Sequence, residues 1–133
     1  MTSTTQSSPV SKTALWTGYV LSALPVLALI MSGVMKLMQT PSVVEGFDKF
    51  GYPHTVIFGL GIVELACTLI YLMPRTAVLG AILLTGYLGG ATATLVRVSD
   101  NTFFAPILLG VMVWGGLYMR DQRVRALIPF RQN

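Results

Sequence analysis

Charged side chains are scarce in this chain of 133 residues. Asp, Glu, Lys and Arg together make up 11% of it, whereas a soluble domain carries about 25%. Hydrophobic residues make up 53% of the chain, and the mean hydropathy is +0.70. A soluble core of this size could not bury so much apolar surface. The scarcity of charge therefore argues against a soluble protein and favours lipid as the natural solvent of the chain.

Cysteine and histidine each occur only once. Cys67 has no second cysteine with which to form an internal disulfide, and a CxxC redox motif is absent. His54 has no second histidine, which excludes a bis-histidine haem site, and no cluster of metal ligands is visible. No catalytic or cofactor-binding motif is visible either. The sequence therefore favours a non-catalytic protein, leaves enzymatic activity uncertain and identifies no cofactor.

In place of charge the sequence has four long apolar runs, at about residues 15–38, 54–73, 76–97 and 103–119. A membrane-spanning helix needs about 17 to 25 residues, and a helix satisfies its own backbone hydrogen bonds in hydrocarbon. Four such runs argue against buried helices of a soluble protein, and the first run is too long for the apolar region of a signal peptide. The sequence predicts an all-α fold, with a bundle of four transmembrane helices across residues 15–119.

The two ends of the chain are polar. Residues 1–14 are rich in Ser and Thr and are predicted to form a disordered tail, and residues 120–133 form a basic tail. With four spans, both tails and the turn at 74–75 lie on one side of the membrane. That side has six of the nine Lys and Arg residues, and the other side has Lys36, Lys49 and Arg97. The positive-inside rule then predicts a multi-pass cell-membrane protein with both termini in the cytoplasm. The basic residues form no nucleic-acid-binding patch, so no nucleic acid is expected as a partner.

Residues 39–53, between the first two spans, have a different pattern. Charged residues occupy one face of this segment. Apolar residues recur at helical spacing on the other face: Val43, Val44, Phe47 and Phe50. This pattern predicts a short amphipathic helix on the membrane surface. Gly51 and Pro53 are suited to end it. A lid over a cavity is the functional alternative for this segment.

Small residues indicate where the spans touch. Gly86 and Gly90 are one turn apart on the third span, and Ala93 continues their face. Such faces let helix backbones approach closely in a membrane. We therefore expect Gly86 and Gly90 to face another helix, and a leucine at position 90 to lower the thermal stability. The second and fourth spans have similar small residues: Gly59, Gly61, Gly110, Gly115 and Gly116.

Glu64 is the one acidic residue within the second run. It lies about 15 Å along that helix, at about 1.5 Å per residue. A charge at the bilayer centre costs about 2.5 to 3.5 kcal/mol and normally faces the bundle interior, where it finds a partner. Lys36 and Arg97 end the first and third spans on the same side of the membrane. The sequence predicts that Glu64 pairs with Lys36 or Arg97, directly or through water, and forms the polar floor of a pocket open toward the outer leaflet.

Other polar side chains can surround Glu64. Gly61, Glu64, Thr68 and Tyr71 share one face of the second span, and the other spans offer hydroxyl groups: Ser22, Ser32, Thr85, Tyr87, Thr92 and Thr94. These groups are compatible with a binding pocket and equally with a structural network that fixes helix register. The candidate binding residues are Lys36, Glu64, Thr68, Tyr87, Thr94 and Arg97.

A series of short motifs resembles the DoxX-like family of small integral membrane proteins. The motifs are SGVMKL (32–37), FGYP (50–53), GIVEL (61–65), GYLGGATATLVRV (86–98) and LLGVMVWGGLYMRDQRVRALIP (108–129), and the resemblance covers about residues 15–129. It implies a four-helix membrane bundle and carries over onto Lys36 of SGxxK, Glu64 of GxxEL, and Arg97. Relatives often have a histidine where this chain has Leu95. A proton-relay or quinone role therefore does not carry over to that position.

Three functions stay open. Better-known relatives include DoxX and DoxD type subunits associated with thiosulfate:quinone oxidation and other membrane redox complexes. The resemblance therefore implies a small subunit or scaffold of a redox complex in the bacterial inner membrane, with a redox enzyme or a quinone as partner besides the lipid bilayer. The alternative is a binding protein or carrier for a small hydrophobic molecule, such as a quinone or lipid, in a polar pocket around Glu64. A catalytic oxidoreductase subunit is the third, and only a bound quinone would supply its redox chemistry. The identity of the ligand stays open, because analogy by fold does not transfer chemistry. The oligomeric state and the ionisation of Glu64 stay open as well.

Overall fold

A computed structural model of the chain describes residues 11–128 and 130. These residues form six α-helices and no strand: α1 (Lys12–Met38), α2 (Pro41–Phe50), α3 (Thr55–Leu72), α4 (Ala77–Arg97), α5 (Phe104–Arg120) and α6 (Gln122–Leu127). A 3-10 turn, Asn101–Phe103, precedes α5. The predicted all-α fold is confirmed.

Four helical stretches in the described residues are long and apolar enough to cross a membrane: Lys12–Met38, Thr55–Leu72, Ala77–Arg97 and Asn101–Arg120. Large apolar side chains cover their outer surfaces, as Leu27 (64% exposed), Leu69 (59%) and Val111 (63%) illustrate. Such a surface is unfavourable in water and is expected against lipid. The chain therefore has the predicted bundle of four helices able to span a membrane.

The short helix between the first two spans is also confirmed. It is α2, which has Pro41 at its first position and turns one apolar residue, Phe47, into the protein. Gly51 ends α2 in the left-handed conformation, with φ of 80°, which glycine adopts without steric cost. Gln39 does the same at the end of α1, with φ of 50°. Two sharp turns therefore fold α2 back onto the bundle.

The ends of the chain differ from the expected tails. Ser11 caps α1 by accepting a hydrogen bond from the backbone N–H of Ala14 at 3.2 Å, so the helix begins earlier than position 15. Residues 1–10 of the predicted disordered tail lie outside the described residues. In the predicted basic tail, Asp121 caps α6 by accepting from the Arg123 N–H at 2.9 Å, and Val124 is buried. The beginning of that region is therefore helical and packs on the bundle.

The spanning helices pack in a ring in which α1 contacts α5 and α3, and α4 contacts α3 and α5. Two close contacts hold the end at which α1 begins and α5 finishes, which we call the terminal end. A Cβ atom at Gly18 would lie 2.9 Å from the Gly116 carbonyl oxygen, and a Cβ atom at Gly80 would overlap the backbone of Tyr71. Glycine alone permits these approaches. We call the opposite end, where α2 lies, the α2 end.

The predicted helix contact at Gly86 and Gly90 is wrong. A Cβ atom at either position would meet nothing within 4 Å. Gly61, by contrast, contacts α1, and a Cβ atom there would lie 3.0 Å from the Gly33 carbonyl oxygen. The spacing of small residues on α4 suggested a contact, but Gly86 and Gly90 line an open space inside the α2 end.

Candidate functional site

A cavity of about 640 Å³ occupies the α2 end of the bundle. All four spanning helices contribute to its wall, and α2 covers it with Phe47 and Phe50. Gly86 and Gly90 form part of the wall on α4. Because these residues carry no side chain, they leave room where the sequence analysis expected a packed helix. The volume falls within the range of about 300 to 1,000 Å³ that is typical of ligand pockets.

The wall of this cavity is mostly apolar. Its polar lining residues include a group that we call the Glu64 cluster: Ser32, Lys36, Glu64 and Tyr87. The Lys36 ammonium donates to Glu64 Oε2 at 2.7 Å and to Ser32 Oγ at 2.6 Å. The Glu64 side chain is 2% exposed, and that of Lys36 is 13% exposed. A buried carboxylate of this kind requires a charged partner. The prediction that Glu64 pairs with a cation from a neighbouring helix is confirmed for Lys36.

Two hydroxyl groups complete the coordination of the carboxylate. Tyr87 on α4 donates to Glu64 Oε2 at 3.0 Å, and Ser32 on α1 donates to the same oxygen at 3.3 Å. The Lys36 ammonium also lies 5.9 Å from the centroid of the Tyr87 ring, within reach of a cation–π contact. Three helices thus converge on one carboxylate oxygen.

The second carboxylate oxygen, Oε1, is placed differently. In the described chain, the side-chain hydrogen bonds that Glu64 accepts all reach Oε2. No side-chain nitrogen or oxygen in that part of the chain is both fully enclosed and unpaired. Since Glu64 lines the cavity, Oε1 has access to it. The cluster therefore presents an available hydrogen-bond acceptor to the cavity.

The local sequence explains why Lys36 reaches Glu64. Both lie in motifs that contain a glycine, SGVMK and GIVEL. A Cβ atom at Gly61 would lie 2.9 Å from the Lys36 Cβ, so the absence of a side chain on α3 lets this part of α1 lie directly against it. Glu64 follows Gly61 by one helical turn and lies on the same face. The close helix contact thereby sets the ion pair.

The six candidate residues are divided by the structure. Lys36, Glu64, Tyr87 and Thr94 line the cavity, whereas Thr68 and Arg97 do not. Thr68 is fully buried and donates to the Glu64 backbone carbonyl at 2.8 Å, one turn back on α3. The predicted alternative pairing of Glu64 with Arg97 is wrong, because Arg97 donates instead to the backbone carbonyl of Phe50.

Arg97 and Thr94 connect α4 to the segment that covers the cavity. Thr94 Oγ1 lies 2.7 Å from the Tyr52 hydroxyl, and the Arg97 guanidinium lies 5.7 Å from the centroid of the Tyr52 ring. His54 Nε2 and Asp48 Oδ1 are 2.5 Å apart and hold the end of α2 to the start of α3. The sequence analysis missed Tyr52 as a lining residue. The available signals were its place directly after the helix-ending Gly51 and its occurrence in the FGYP motif.

A second polar cluster lies at the terminal end, and we call it the Tyr71 cluster: Ser22, Tyr71 and Arg120. The Tyr71 hydroxyl lies 3.0 Å from Ser22 Oγ and donates to the Val113 carbonyl at 2.7 Å. Arg120 Nε donates to Ser22 Oγ at 3.1 Å, and its guanidinium lies 5.3 Å from the Tyr71 ring centroid. The predicted polar face of the second span is thus buried, but it divides between two clusters.

Comparison with known proteins agrees with this architecture. The family model of the DoxX-like family matches residues 20–116. No curated protein and no solved structure matches the chain. The matched region runs from the first half of α1 to the last part of α5, and it contains the whole Glu64 cluster. Four helices able to span a membrane, together with a family match over most of the chain, lead to one conclusion: the chain belongs to the DoxX-like family, as a multi-pass membrane protein.

Proposed function

We propose that this protein binds a small hydrophobic molecule with an uncharged, oxygen-bearing head group, of the quinone or neutral lipid class, in the cavity at the α2 end. The observation that carries the proposal is the placement of the Lys36–Glu64 ion pair on the wall of a mostly apolar cavity of about 640 Å³. Ligand pockets commonly combine an apolar lining with a few polar groups that fix orientation.

The hydrogen-bonding groups define the head group. The Lys36 ammonium has three N–H groups and gives two of them to Ser32 and Glu64. The remaining N–H is available to a ligand carbonyl, and Glu64 Oε1 is available to a ligand hydroxyl. A quinone offers the carbonyl in its oxidised form and the hydroxyl in its reduced form. A neutral lipid such as a diacylglycerol offers both groups at once.

The charges of the cluster favour an uncharged ligand. Lys36 and Glu64 neutralise each other at 2.7 Å. A charged head group would compete with one partner and leave the other buried without its counter-ion, which is strongly unfavourable. A neutral head group adds a hydrogen bond without breaking the pair. The apolar body of the ligand would then contact the lining residues of α3, such as Val56 and Leu60.

Binding can be measured directly on the purified protein. Mass spectrometry of a solvent extract identifies co-purifying quinones and neutral lipids, and titration with a short-chain quinone or a short-chain diacylglycerol gives a shift in melting temperature. Gly90→Leu should fill the cavity without a clash, because no atom lies within 4 Å of a Cβ there. The matched control is Gly59→Leu, since Gly59 is equally free of neighbours and does not line the cavity.

The proposal predicts that Gly90→Leu and Glu64→Gln each weaken binding at least tenfold, while Gly59→Leu binds like the wild type. Loss of one hydrogen bond to a charged group corresponds to about 1.5 to 3 kcal/mol, or at least a tenfold loss of affinity. If the ligand shifted the melting temperatures of Gly90→Leu and Gly59→Leu equally, any ligand would bind elsewhere, and this function would be refuted.

A subunit or scaffold role in a membrane redox complex is the second candidate, and membership of the DoxX-like family is the observation that favours it. The two functions are compatible, because a quinone bound in the cavity would supply redox chemistry to a partner enzyme. Gentle solubilisation followed by mass spectrometry of co-purifying proteins tests this role. The subunit or scaffold role would be contradicted if the chain were recovered without any oxidoreductase from a membrane that contains its redox-active ligand.

The orientation in the membrane is also a proposal. The excess of Lys and Arg at the terminal end supports cytoplasmic termini in a cell membrane. Cysteine substitutions at Ser7 and Lys49 test it by labelling with a membrane-impermeant reagent. Ser7 lies outside the described residues, and Lys49 lies on α2. Labelling at position 49 alone from outside the cell supports the orientation, and labelling at position 7 reverses it.

A further inference from the structure

A second concave surface adjoins the cavity described above, with which it shares Leu88 and Pro106, and we call it the lateral groove. It runs along α4 and α5, has a volume of about 590 Å³, and reaches α6 at the terminal end. Glycines leave space along it: a Cβ atom at Gly89 would meet nothing within 4 Å, and one at Gly110 would meet only Leu88, at 3.8 Å. The missing side chains at these glycines thus help to open the groove.

The lining of the lateral groove is almost entirely apolar. Trp114 Nε1 donates to Thr85 Oγ1 at 2.6 Å, and Thr85 in turn donates to the Ala81 carbonyl at 2.7 Å. Thr92 donates to the Leu88 carbonyl at 2.8 Å. These three side chains therefore have their donor hydrogens engaged within the protein, and Tyr118, at the terminal end of the groove, carries the one further hydroxyl among the described lining residues. An occupant of the groove meets an apolar surface, which suits a hydrocarbon chain.

The length of the lateral groove matches one lipid chain. Its lining on α5 extends from Pro106 to Tyr118, which is about 18 Å of helix at about 1.5 Å per residue. The hydrocarbon core of a bilayer is about 30 Å thick, so one leaflet contributes about 15 Å. An acyl chain that enters at the terminal end would therefore end near Pro106.

A positive charge lies where the headgroup of such a lipid would be. Arg125 on α6 donates to the backbone carbonyls of Tyr118 and Met119, at 2.8 and 2.7 Å, and its guanidinium lies 5.7 Å from the Tyr118 ring centroid. Tyr118 lines the groove. The ion pairs among the described residues involve other side chains, so within that part of the chain Arg125 has no carboxylate partner. Its charge is held at the groove by the backbone and is left for an external anion.

We propose that the lateral groove binds an acyl chain of an anionic phospholipid, with its phosphate beside Arg125, in the leaflet at the terminal end. An anionic headgroup and a hydrocarbon chain together complement the two features of the site, the fixed guanidinium and the apolar floor. A basic residue near a membrane surface attracts anionic lipid, and the attraction falls off within a Debye length. This lipid would be distinct from the ligand of the Glu64 cluster, because the groove and the cavity share only Leu88 and Pro106 of their linings.

Trp114 provides the measurement, because it lines the groove. In a Trp16→Phe background it is the only tryptophan in the chain. The protein is reconstituted into phosphatidylcholine vesicles with increasing amounts of phosphatidylglycerol brominated on its acyl chain, and quenching of Trp114 fluorescence is recorded. Brominated phosphatidylcholine in unbrominated phosphatidylglycerol is the reverse titration. We expect half-quenching at a mole fraction about fivefold lower for brominated phosphatidylglycerol than for brominated phosphatidylcholine. A preference of about fivefold corresponds to the attraction of one basic residue for an anionic membrane surface.

Matched variants separate the two parts of the site. Gly89→Phe should fill the groove and abolish the preference, whereas Gly59→Phe on α3, with equally open space, should keep it. Arg125→Gln should abolish the preference, Arg125→Lys should restore most of it, and Arg75→Gln, at the same end of the bundle, should leave it unchanged. Native mass spectrometry should then count one fewer retained phosphatidylglycerol for Gly89→Phe than for Gly59→Phe.

Three results would overturn the proposal. Equal quenching by the two brominated lipids in the parent protein would mean that the groove does not select an anionic headgroup. An unchanged preference in Gly89→Phe would place the lipid outside the groove. A dimer that is present in the parent protein and lost in Gly89→Phe would identify the groove as an interface between two copies of the chain.

Discussion

The Glu64 cluster and the Tyr71 cluster use similar groups at opposite ends of one bundle. Each contains a cation, a tyrosine and a serine and connects three helices, the Glu64 cluster by way of the carboxylate on α3. Only the Glu64 cluster has a carboxylate, and only it lines a cavity. The Tyr71 hydroxyl instead spends its hydrogen bonds on Ser22 and the Val113 backbone. The same polar chemistry therefore forms a closed structural joint at the terminal end and an open site at the α2 end.

The placement of glycine accounts for this difference. At the terminal end, Gly18 and Gly80 bring helices into backbone contact around the Tyr71 cluster. At the α2 end, Gly86 and Gly90 face no neighbour and leave the cavity empty of side chains. A glycine thus permits a close helix contact or leaves an open space, depending on whether a second backbone approaches it. The following substitutions test that distinction, from the largest expected effect to the smallest.

Removing the cation of the Glu64 cluster should have the largest effect. Lys36→Met leaves the buried Glu64 carboxylate without its counter-ion, which costs about 3 to 5 kcal/mol in typical buried pairs. Glu64→Gln should cost less, because an amide still hydrogen-bonds to Tyr87 and Ser32. Unfolding in mixed detergent micelles, monitored by circular dichroism, gives both free energies of unfolding.

A double-mutant cycle sharpens this test. The coupling between positions 36 and 64 should be large, whereas the coupling between positions 64 and 97 should be near zero, because Arg97 bonds to Phe50. Comparable coupling energies in the two cycles would contradict the geometry of the Glu64 cluster.

Substituting the glycines should separate the two ends. Gly80→Leu places a side chain where the Tyr71 backbone lies, and overpacking of this kind costs about 1 to 3 kcal/mol or more. Gly90→Leu enters open space and should change the free energy of unfolding by less than about 0.5 kcal/mol. Melting temperatures of the two variants in the same detergent provide the measurement. A larger loss for Gly90→Leu than for Gly80→Leu would reverse the comparison.

The two tyrosines should differ in what they support. Tyr71→Phe removes the hydroxyl shared by Ser22 and Val113 and should lower the free energy of unfolding by about 1 to 3 kcal/mol, without changing ligand affinity. Tyr87→Phe should cost about 1.5 to 3 kcal/mol, because its hydroxyl donates to a carboxylate, and should weaken ligand binding. Melting curves with and without a short-chain quinone separate the two effects. A ligand effect confined to Tyr71→Phe would exchange the roles of the clusters.

The smallest effect should lie in the loop before α5, outside both clusters. The backbone N–H and the hydroxyl of Thr102 donate to Asp100 at 2.9 and 2.7 Å, which lowers the pKa of the Asp100 carboxyl. Because the folded-state pKa is the lower one, this stabilisation is present above the unfolded-state pKa. It is lost as the pH falls through the folded-state pKa.

Asp100→Asn should therefore be slightly less stable than the wild type near neutral pH, and the difference should shrink in acid. Melting temperatures measured across the acidic range test this expectation. A difference that grows in acid would mean that the carboxylate is not the stabilising form.

The fold followed from the sequence because each span is long, apolar and bounded by polar residues. The partner of Glu64 was narrowed to two cations by their side of the membrane, but periodicity alone could not choose between them. The choice depends on the close approach of Gly61 to α1, which is a tertiary contact. The wrong prediction at Gly86 and Gly90 has the same origin. Spacing shows that small residues share one helix face, but it does not show what lies opposite that face. Tyr52 was missed because its role arises from the turn at Gly51, which folds α2 back over the cavity.

The burial of Cys67 has a practical consequence for measuring motion in this bundle. The residue is 8% exposed, lies on α3 between Glu64 and Tyr71, and is the only thiol in the chain. A maleimide can reach the thiol only when the helices separate locally, so the rate of alkylation of Cys67 reports transient opening of the bundle. A ligand at the α2 end that stabilises the bundle should lower the alkylation rate of Cys67, and this measurement needs no engineered probe.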